Sequence, residues 1–215
     1  MLDILFVTDY VCPYCLVAKE ALKQALEATG MEAKFTWQPF ELTPEPNERV
    51  DTYHDEKRKA GYQRLVEPCR QLDLPMKLPP KVIPRPYTRL AFEGWYYACE
   101  QGKGDEYADL MYGAYFLEEL DIGDMNVLAD LAERLGLNRA EYVAALEQGT
   151  YSAQEKAAVD YSRNVLKPRG VPTIYIDGEK ISPTQYTKNE MIEILYNRVS
   201  VAGEGGFACG ADGCG

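Results

Sequence analysis

Histidine is almost absent from this chain. The one residue of its kind, His54, stands among Asp51, Asp55, Glu56 and Lys57, where a surface position suits it better than a catalytic or metal-ligating one. Positive charge is also short: 23 Lys and Arg face 34 Asp and Glu, giving a net charge of -11 and a pI near 4.7. Such a chain repels phosphate backbones and anionic lipid, whose binding needs clustered Lys and Arg, so neither nucleic acid nor a membrane is an expected partner. The N-terminus, Met1-Leu2-Asp3-Ile4-Leu5-Phe6-Val7-Thr8-Asp9, lacks the basic start and sustained apolar run of a secretory signal, and the expected location is cytoplasmic. Six cysteines are too few for a disulfide-dense scaffold. In a reducing compartment, closely spaced pairs of them are more often catalytic or metal-binding than structural.

What the chain does have is the composition of an ordinary globular protein. Apolar residues make up 46% and charged residues 27% of 215, enough for one sizeable domain or a small domain with another folded into it. Leu2 to Val7 reads as a short buried strand. Pro13 to about Ala28 carries Leu16, Val17, Leu22, Ala25 and Leu26 at helical spacing, with Gly30 as its stop. Lys34 to Phe40 alternates, with Phe35, Trp37 and Pro39 on one side, and completes a βαβ unit. From Glu41 to Pro86 the chain is polar and punctuated by proline, with a predicted helix at about Glu56 to Leu65 and a semi-rigid connector through Pro75, Pro79, Pro80, Pro84 and Pro86.

Helices follow. Leu90, Ala91, Trp95, Ala98 and Cys99 line one face of the first, and Tyr107, Leu110, Met111, Ala114 and Leu117 line the next. Asp124 is predicted to cap a third that ends at Gly136, while Asn138 with Glu141, and Ser152 with Glu155, have the offset of capping boxes. Pro172 to Asp177 and Lys180 to Ser182 then form a hairpin about Asp177-Gly178, and a last helix runs from about Lys188 to Val199. The order βαβ, helices, ββα predicts the α/β class: one domain made of residues 1–44 and 168–202, an all-helical insertion over 45–167, and a flexible Gly- and Cys-rich tail over 203–215.

The spacing of the cysteines carries the chemistry: Cys12 and Cys15, isolated Cys69 and Cys99, then Cys209 and Cys214. A cysteine is a nucleophile only as its thiolate. Cys12 follows a strand and a short loop, and Pro13 suits the first helical position, where its missing N–H costs nothing. Cys12 is thereby placed at the N-cap, where the free N–H groups of the first turn and the positive end of the helix dipole favour an anion. Cys15 can reach the Cys12 sulfur but has less access to solvent. An exposed, activated thiolate beside a shielded partner suits exchange through a mixed disulfide, with Cys12 attacking and Cys15 resolving. Zinc is the competing reading of such a pair, but it takes four ligands. Cys209 and Cys214, with their wider gap, make a weak second pair, and no metal is expected.

Other residues read as structural. Asp9, just before the nucleophile, is expected to bond backbone N–H groups of the loop rather than to move protons. Lys19 and Glu20 read as a solvated helix face. Cys69 and Cys99 read as buried thiols behaving as small hydrophobes, and most of the sixteen tyrosines as core.

Two motifs carry a family resemblance. Asp9-Tyr10-Val11-Cys12-Pro13-Tyr14-Cys15 near the start, and Gly170-Val171-Pro172-Thr173 with Ile181-Ser182-Pro183-Thr184-Gln185 near the end, resemble the DsbA-like thioredoxin-fold oxidoreductases, and within them the FrnE-like branch. The resemblance spans about residues 1 to 200. It implies a thioredoxin-like fold interrupted by an all-helical insertion domain, a cis Val171–Pro172 bond facing the Cys pair, and a Val171 backbone left to pair with an extended peptide. It further implies a thiol-disulfide oxidoreductase in which Pro13, Tyr14, Val171 and Pro172 support Cys12 and Cys15. No cofactor is expected, and the expected substrates are protein or low-molecular-weight thiols and disulfides. Two alternatives stand beside this one: a glutathione-dependent isomerase or transferase of the same fold, which typically has Ser where Cys12 stands, and a non-catalytic protein-binding adaptor. Cys209 and Cys214 form a candidate second redox pair; a metal-binding end and no catalytic role are the other readings of the tail.

Overall fold

The computed structural model describes residues 1–204. β1 (Leu2–Thr8), α1 (Pro13–Thr29) and β2 (Ala33–Pro39) form a βαβ unit with β1 and β2 parallel. β3 (Thr173–Ile176) and β4 (Glu179–Ile181) add an antiparallel hairpin, giving one mixed sheet in the order β2-β1-β3-β4. β1 lies inside the sheet because Ile4, Phe6 and Val7 are all buried, so both of its faces need cover. At the hairpin Asp177 has φ 50° and Gly178 φ 81°, the two positive dihedrals that an Asp-Gly turn accepts.

Between β2 and β3 run α2 (Glu56–Gln63), α3 (Val66–Gln71), α4 (Arg89–Glu100), α5 (Gly104–Phe116), α6 (Met125–Arg134), α7 (Arg139–Glu147) and α8 (Ser152–Tyr161). Ser162–Leu166 continues α8 as a wider π-type turn. α9 (Lys188–Glu204) packs back on α1. This is a thioredoxin-like α/β fold interrupted by helices. Asp124 and Asn138 accept N–H bonds from the first turns of α6 and α7, as their positions predict.

Helices and sheet share one core. The Tyr10 ring, just after β1, stacks on Phe92 of α4 at 4.5 Å between centroids and meets Tyr112 of α5 edge-on at 5.3 Å. Burying a ring such as Phe92 contributes about 2 kcal/mol, and such pairing geometry about 0.5–1.5 kcal/mol more. Polar bonds cross the same boundary. Trp37 Nε1 donates to Asp105 Oδ1 at 2.7 Å, and Gln38 Nε2 donates to the Ala158 carbonyl at 2.7 Å. Gly94, in the middle of α4, is where the Tyr107 and Tyr142 hydroxyls press on the helix; they bond each other at 2.7 Å, and a Cβ there would collide with both. Tyr10, Tyr107, Tyr112, Tyr115 and Tyr142 are fully buried, so these tyrosines are core.

Several local expectations give way to tertiary contacts. Ser152 and Glu155 do not form a capping box: Tyr151 takes the cap position without a side-chain bond, and Glu155 turns inward toward Glu41, which follows β2. Lys19 is no solvated residue; α5 covers it, with Asp109 as its ion-pair partner and the Tyr112 ring 5.7 Å below. Cys99 is exposed rather than buried, because the apolar stripe of α4 ends there, while Cys69 is buried. α3, between the predicted helix and the proline-rich connector, was not foreseen, since it is short and carries Pro68, a residue that a first turn tolerates. The strand after the turn lies one residue earlier than predicted. α9 passes Val199 and takes in residues 203 and 204. Among the described residues no helix is long and apolar enough to cross a membrane.

Candidate active site

The sheet register brings the two sequence motifs together. Val7 of β1 faces Thr173 of β3, which sets Pro172 level with Thr8 and Val171 over the loop that leads into α1. The Val171–Pro172 bond is cis. Cys12 Sγ lies 3.5 Å from the Val171 carbonyl, to which its thiol donates, although the two residues are 159 positions apart. Cys12 is the N-cap of α1, with extended backbone (φ -90°, ψ 113°), no capping bond from its side chain, and Pro13 opening the helix. Pro13 has no N–H to offer, and Cys15 N and Leu16 N turn to the Cys12 carbonyl at 3.1 and 3.4 Å, so it is the positive end of the helix dipole at this terminus that favours an anion.

Cys12 and Cys15 are both free thiols, and burial ranks them less steeply than predicted. The expected exposed Cys12 is only 4% exposed, against 0% for Cys15. Distant parts of the chain come to it: the Val171 carbonyl accepts from Cys12, Tyr62 of α2 lies within electrostatic reach of Cys12, and Tyr186 of the loop before α9 within reach of both sulfurs. Burial, and next the neighbouring Cys12, push the Cys15 thiol well above the ordinary thiol range, while the Thr8 hydroxyl and the Asp9 N–H bond its sulfur and pull it down. Cys15 is thus held as a neutral thiol near neutral pH.

Supporting residues fix the walls. Asp9 is buried and ties two loops, its carboxylate accepting from Leu42 N at 2.7 Å and Val11 N at 3.4 Å. Burial raises its pKa against those bonds and the nearby Arg85. The Tyr14 hydroxyl donates to the Gly61 carbonyl at 3.2 Å, anchoring the first turn of α1 to α2. Tyr186, at φ 53°, stands between two grooves. One, about 380 Å³, is lined by Arg169, Val171, Pro172, Lys180 and Ser182; the other, about 450 Å³, by Tyr14, Arg64, Leu65, Gln71 and Gln185. The Glu190 carboxylate holds the loop between them, accepting from Thr184 N at 2.6 Å, Gln185 N at 2.9 Å and Tyr186 N at 2.8 Å. Burial works against the charge, but these bonds keep its pKa below the usual range.

Sequence reasoning missed Thr8, Tyr62, Tyr112, Tyr186 and Glu190. A signal existed for the last: Thr187 and Glu190 have the capping-box offset, and Glu190 N donates to Thr187 Oγ1 at 3.2 Å. His54 is exposed and bonds Asp51 at 2.9 Å, remote from this chemistry. Among the described residues, no three His, Cys, Asp or Glu side chains gather so as to hold a metal. Cys209 and Cys214 lie outside the described residues.

The geometry has counterparts among known proteins. A family model described as the DSBA-like thioredoxin domain matches residues 3–190. An uncharacterized protein of Bacillus subtilis (strain 168), YwbO, is 37% identical over 177 residues, spanning 82% of this chain and 86% of that protein. Among solved structures, a probable DsbA oxidoreductase from Streptomyces coelicolor superposes with a TM-score of 0.75 at 22% identity, covering 100% of this chain and 99% of that one. The cytosolic disulfide reductase DsbM from Pseudomonas aeruginosa, in a structure with GSH, gives a TM-score of 0.66 at 16% identity, with coverage of 92% and 99%. At these identities the two structures speak for the fold.

Proposed function

Because the chain belongs to the DSBA-like thioredoxin domain family, we propose that it exchanges disulfides with other proteins through Cys12 as nucleophile and Cys15 as resolving thiol. One observation carries this reading: Cys12 caps α1 beside the Val171 carbonyl, with Cys15 fully buried behind it. The Cys12 thiolate attacks one sulfur of a substrate disulfide, forming a mixed disulfide and releasing the other sulfur as a thiolate. Cys15 then attacks the Cys12 sulfur, the substrate leaves as a thiol, and the protein is left oxidised. The reverse sequence oxidises a substrate dithiol. The Val171 backbone and the grooves on either side of Tyr186 receive the chain around the reacting cysteine.

Within the family we place the chain in the FrnE-like branch, acting in the cytoplasm, on the motifs around Cys12 and Pro172. Arg169 and Lys180 line the first groove of a chain whose net charge is -11, which favours substrates that carry a carboxylate there, while in the second groove Arg64 is offset by Glu67. The same positive rim supports a second reading, a small thiol such as glutathione as the exchange partner, the ligand held in the DsbM structure.

Trapping tests the main reading. In Cys15→Ala, Cys12 accumulates mixed disulfides with cytoplasmic proteins, released by dithiothreitol and identified by mass spectrometry. A Cys15→Ala chain that carries only a small thiol favours the second reading, and one that carries nothing refutes both.

A further inference from the structure

Cys15 has to become a thiolate to resolve the mixed disulfide, yet it sits where no water reaches it. A buried anion without donors is costly, so the groups touching that sulfur decide whether the step proceeds. We propose that Thr8 and Tyr112 form a buried hydroxyl pair that lets Cys15 ionise for the resolving step, Thr8 donating to the sulfur and Tyr112 donating to Thr8. This rests on the oxidoreductase reading above and adds a catalytic residue from β1 and a positioning residue from α5.

The geometry gives the pair a direction. Thr8, the last residue of β1, is fully buried and hydrogen-bonds the Tyr112 hydroxyl, itself fully buried. The same Thr8 hydroxyl is close enough to the fully buried Cys15 sulfur to favour its ionised form. A thiolate has no proton and can only accept, so when Cys15 is ionised Thr8 must give it its single hydrogen. The Thr8 oxygen is then free to accept, and the Tyr112 hydroxyl is the donor placed against it. Burial holds the Tyr112 phenol well above its ordinary range, which keeps that proton in place. Charge-assisted bonds of this kind are stronger than neutral ones.

Other groups face this pair from the elements packed around it. Cys12 faces Cys15 from the start of α1, and Tyr186 faces it from the loop before α9. Tyr10 faces Tyr112 from the loop after β1. Lys19 of α1 stands over the Tyr112 ring, at 5.7 Å, and is neutralised by Asp109 of α5. The Asp9 carboxylate is turned to Leu42 and Val11, and only its backbone N–H joins Thr8 on the sulfur. In the resolving step the Cys15 S–H bond breaks, the Cys15–Cys12 bond forms, the Cys12–substrate bond breaks, and the departing substrate sulfur takes up the proton. No outside oxidant or reductant enters.

The experiment follows a single turnover of the reduced full chain with the aryl disulfide dithiobis(nitrobenzoate). Acid quenching and peptide mass mapping separate the Cys12 adduct from the Cys12–Cys15 disulfide and from labelling at the other cysteines. In Tyr112→Phe the adduct resolves about 10-fold more slowly at neutral pH, and the pH profile of resolution moves up by about one unit. Thr8→Val does the same, Thr8→Ser restores the wild-type profile, and the Thr8→Val/Tyr112→Phe chain goes no further than either substitution alone. Resolution that is wild-type in both single variants, or slowed equally at every pH with an unshifted profile, overturns the proposal while leaving the oxidoreductase reading intact. A wild-type chain that forms neither the Cys12 adduct nor the Cys12–Cys15 disulfide overturns that reading and the proposal together. Should Tyr112→Phe not fold, the contrast between Thr8→Val and Thr8→Ser decides alone.

Discussion

Cys12 and Cys15 differ because one turn of helix carries the second sulfur inward. Cys12 keeps the cap position and a margin of solvent, whereas Cys15 meets Thr8 and the underside of the sheet. Burial and the neighbouring Cys12 hold the Cys15 thiol well above the ordinary range, so at neutral pH it is protonated and poorly reactive. Native alkylation with iodoacetamide near pH 7 therefore modifies Cys12 well before Cys15, each unit of pKa difference being worth about a factor of ten in thiolate. Raising the pH brings on Cys15 last. Peptide mapping after timed quenches checks the order. Equal labelling of Cys12 and Cys15 would count against separate roles for the two sulfurs.

At the level of elements, the junction of β2 with α8 stores a pH dependence. Glu155 of α8 and Glu41 after β2 are both buried, with Arg163 and Arg89 nearby. Burial, and next the facing Glu41, lift Glu155 from its ordinary 4.5 to about 8. A carboxyl whose folded pKa is raised binds its proton more tightly in the native state. Its contribution to stability is present in full below about 4.5 and is lost as the pH rises through about 8. Glu155→Gln keeps the hydrogen-bonding shape without the charge, so its melting temperature exceeds that of the wild type near pH 8, by about 2–4 °C for each kcal/mol gained, and the difference vanishes only below about pH 4.5. Scanning calorimetry across that window tests it; a gap between the two chains that is the same at both pH values removes the argument.

For the molecule as a whole, helices and sheet behave as one body because they share a core. Tyr10, Phe92 and Tyr112 interlock across the boundary, and β2 bonds α5 and α8 through Trp37 and Gln38. The two tryptophans report on the two parts, Trp37 in the sheet and Trp95 in α4. In the single-tryptophan chains Trp37→Phe and Trp95→Phe, urea unfolding followed by fluorescence has the same midpoint as far-ultraviolet circular dichroism of the same chain. A helical block melting separately from the sheet would split those midpoints and deny the shared core.

Much of this was legible along the chain. The βαβ start, the helical middle with its Asp124 and Asn138 caps, the Asp177-Gly178 hairpin and the place of Cys12 at the start of α1 depend on neighbours within a few residues, where apolar spacing and capping chemistry act. The sequence also picked out Val171-Pro172, through resemblance rather than spacing. Only the tertiary structure decided what surrounds each group: the cover over Cys12, the burial of Lys19 against Asp109, the turning of Glu155 away from its cap toward Glu41, and the meeting of Thr8 with Tyr112 beneath Cys15. Those contacts join residues far apart in the chain. Desolvation and hydrogen bonding are set by whatever lies within a few ångströms in space, and local sequence carries no record of that.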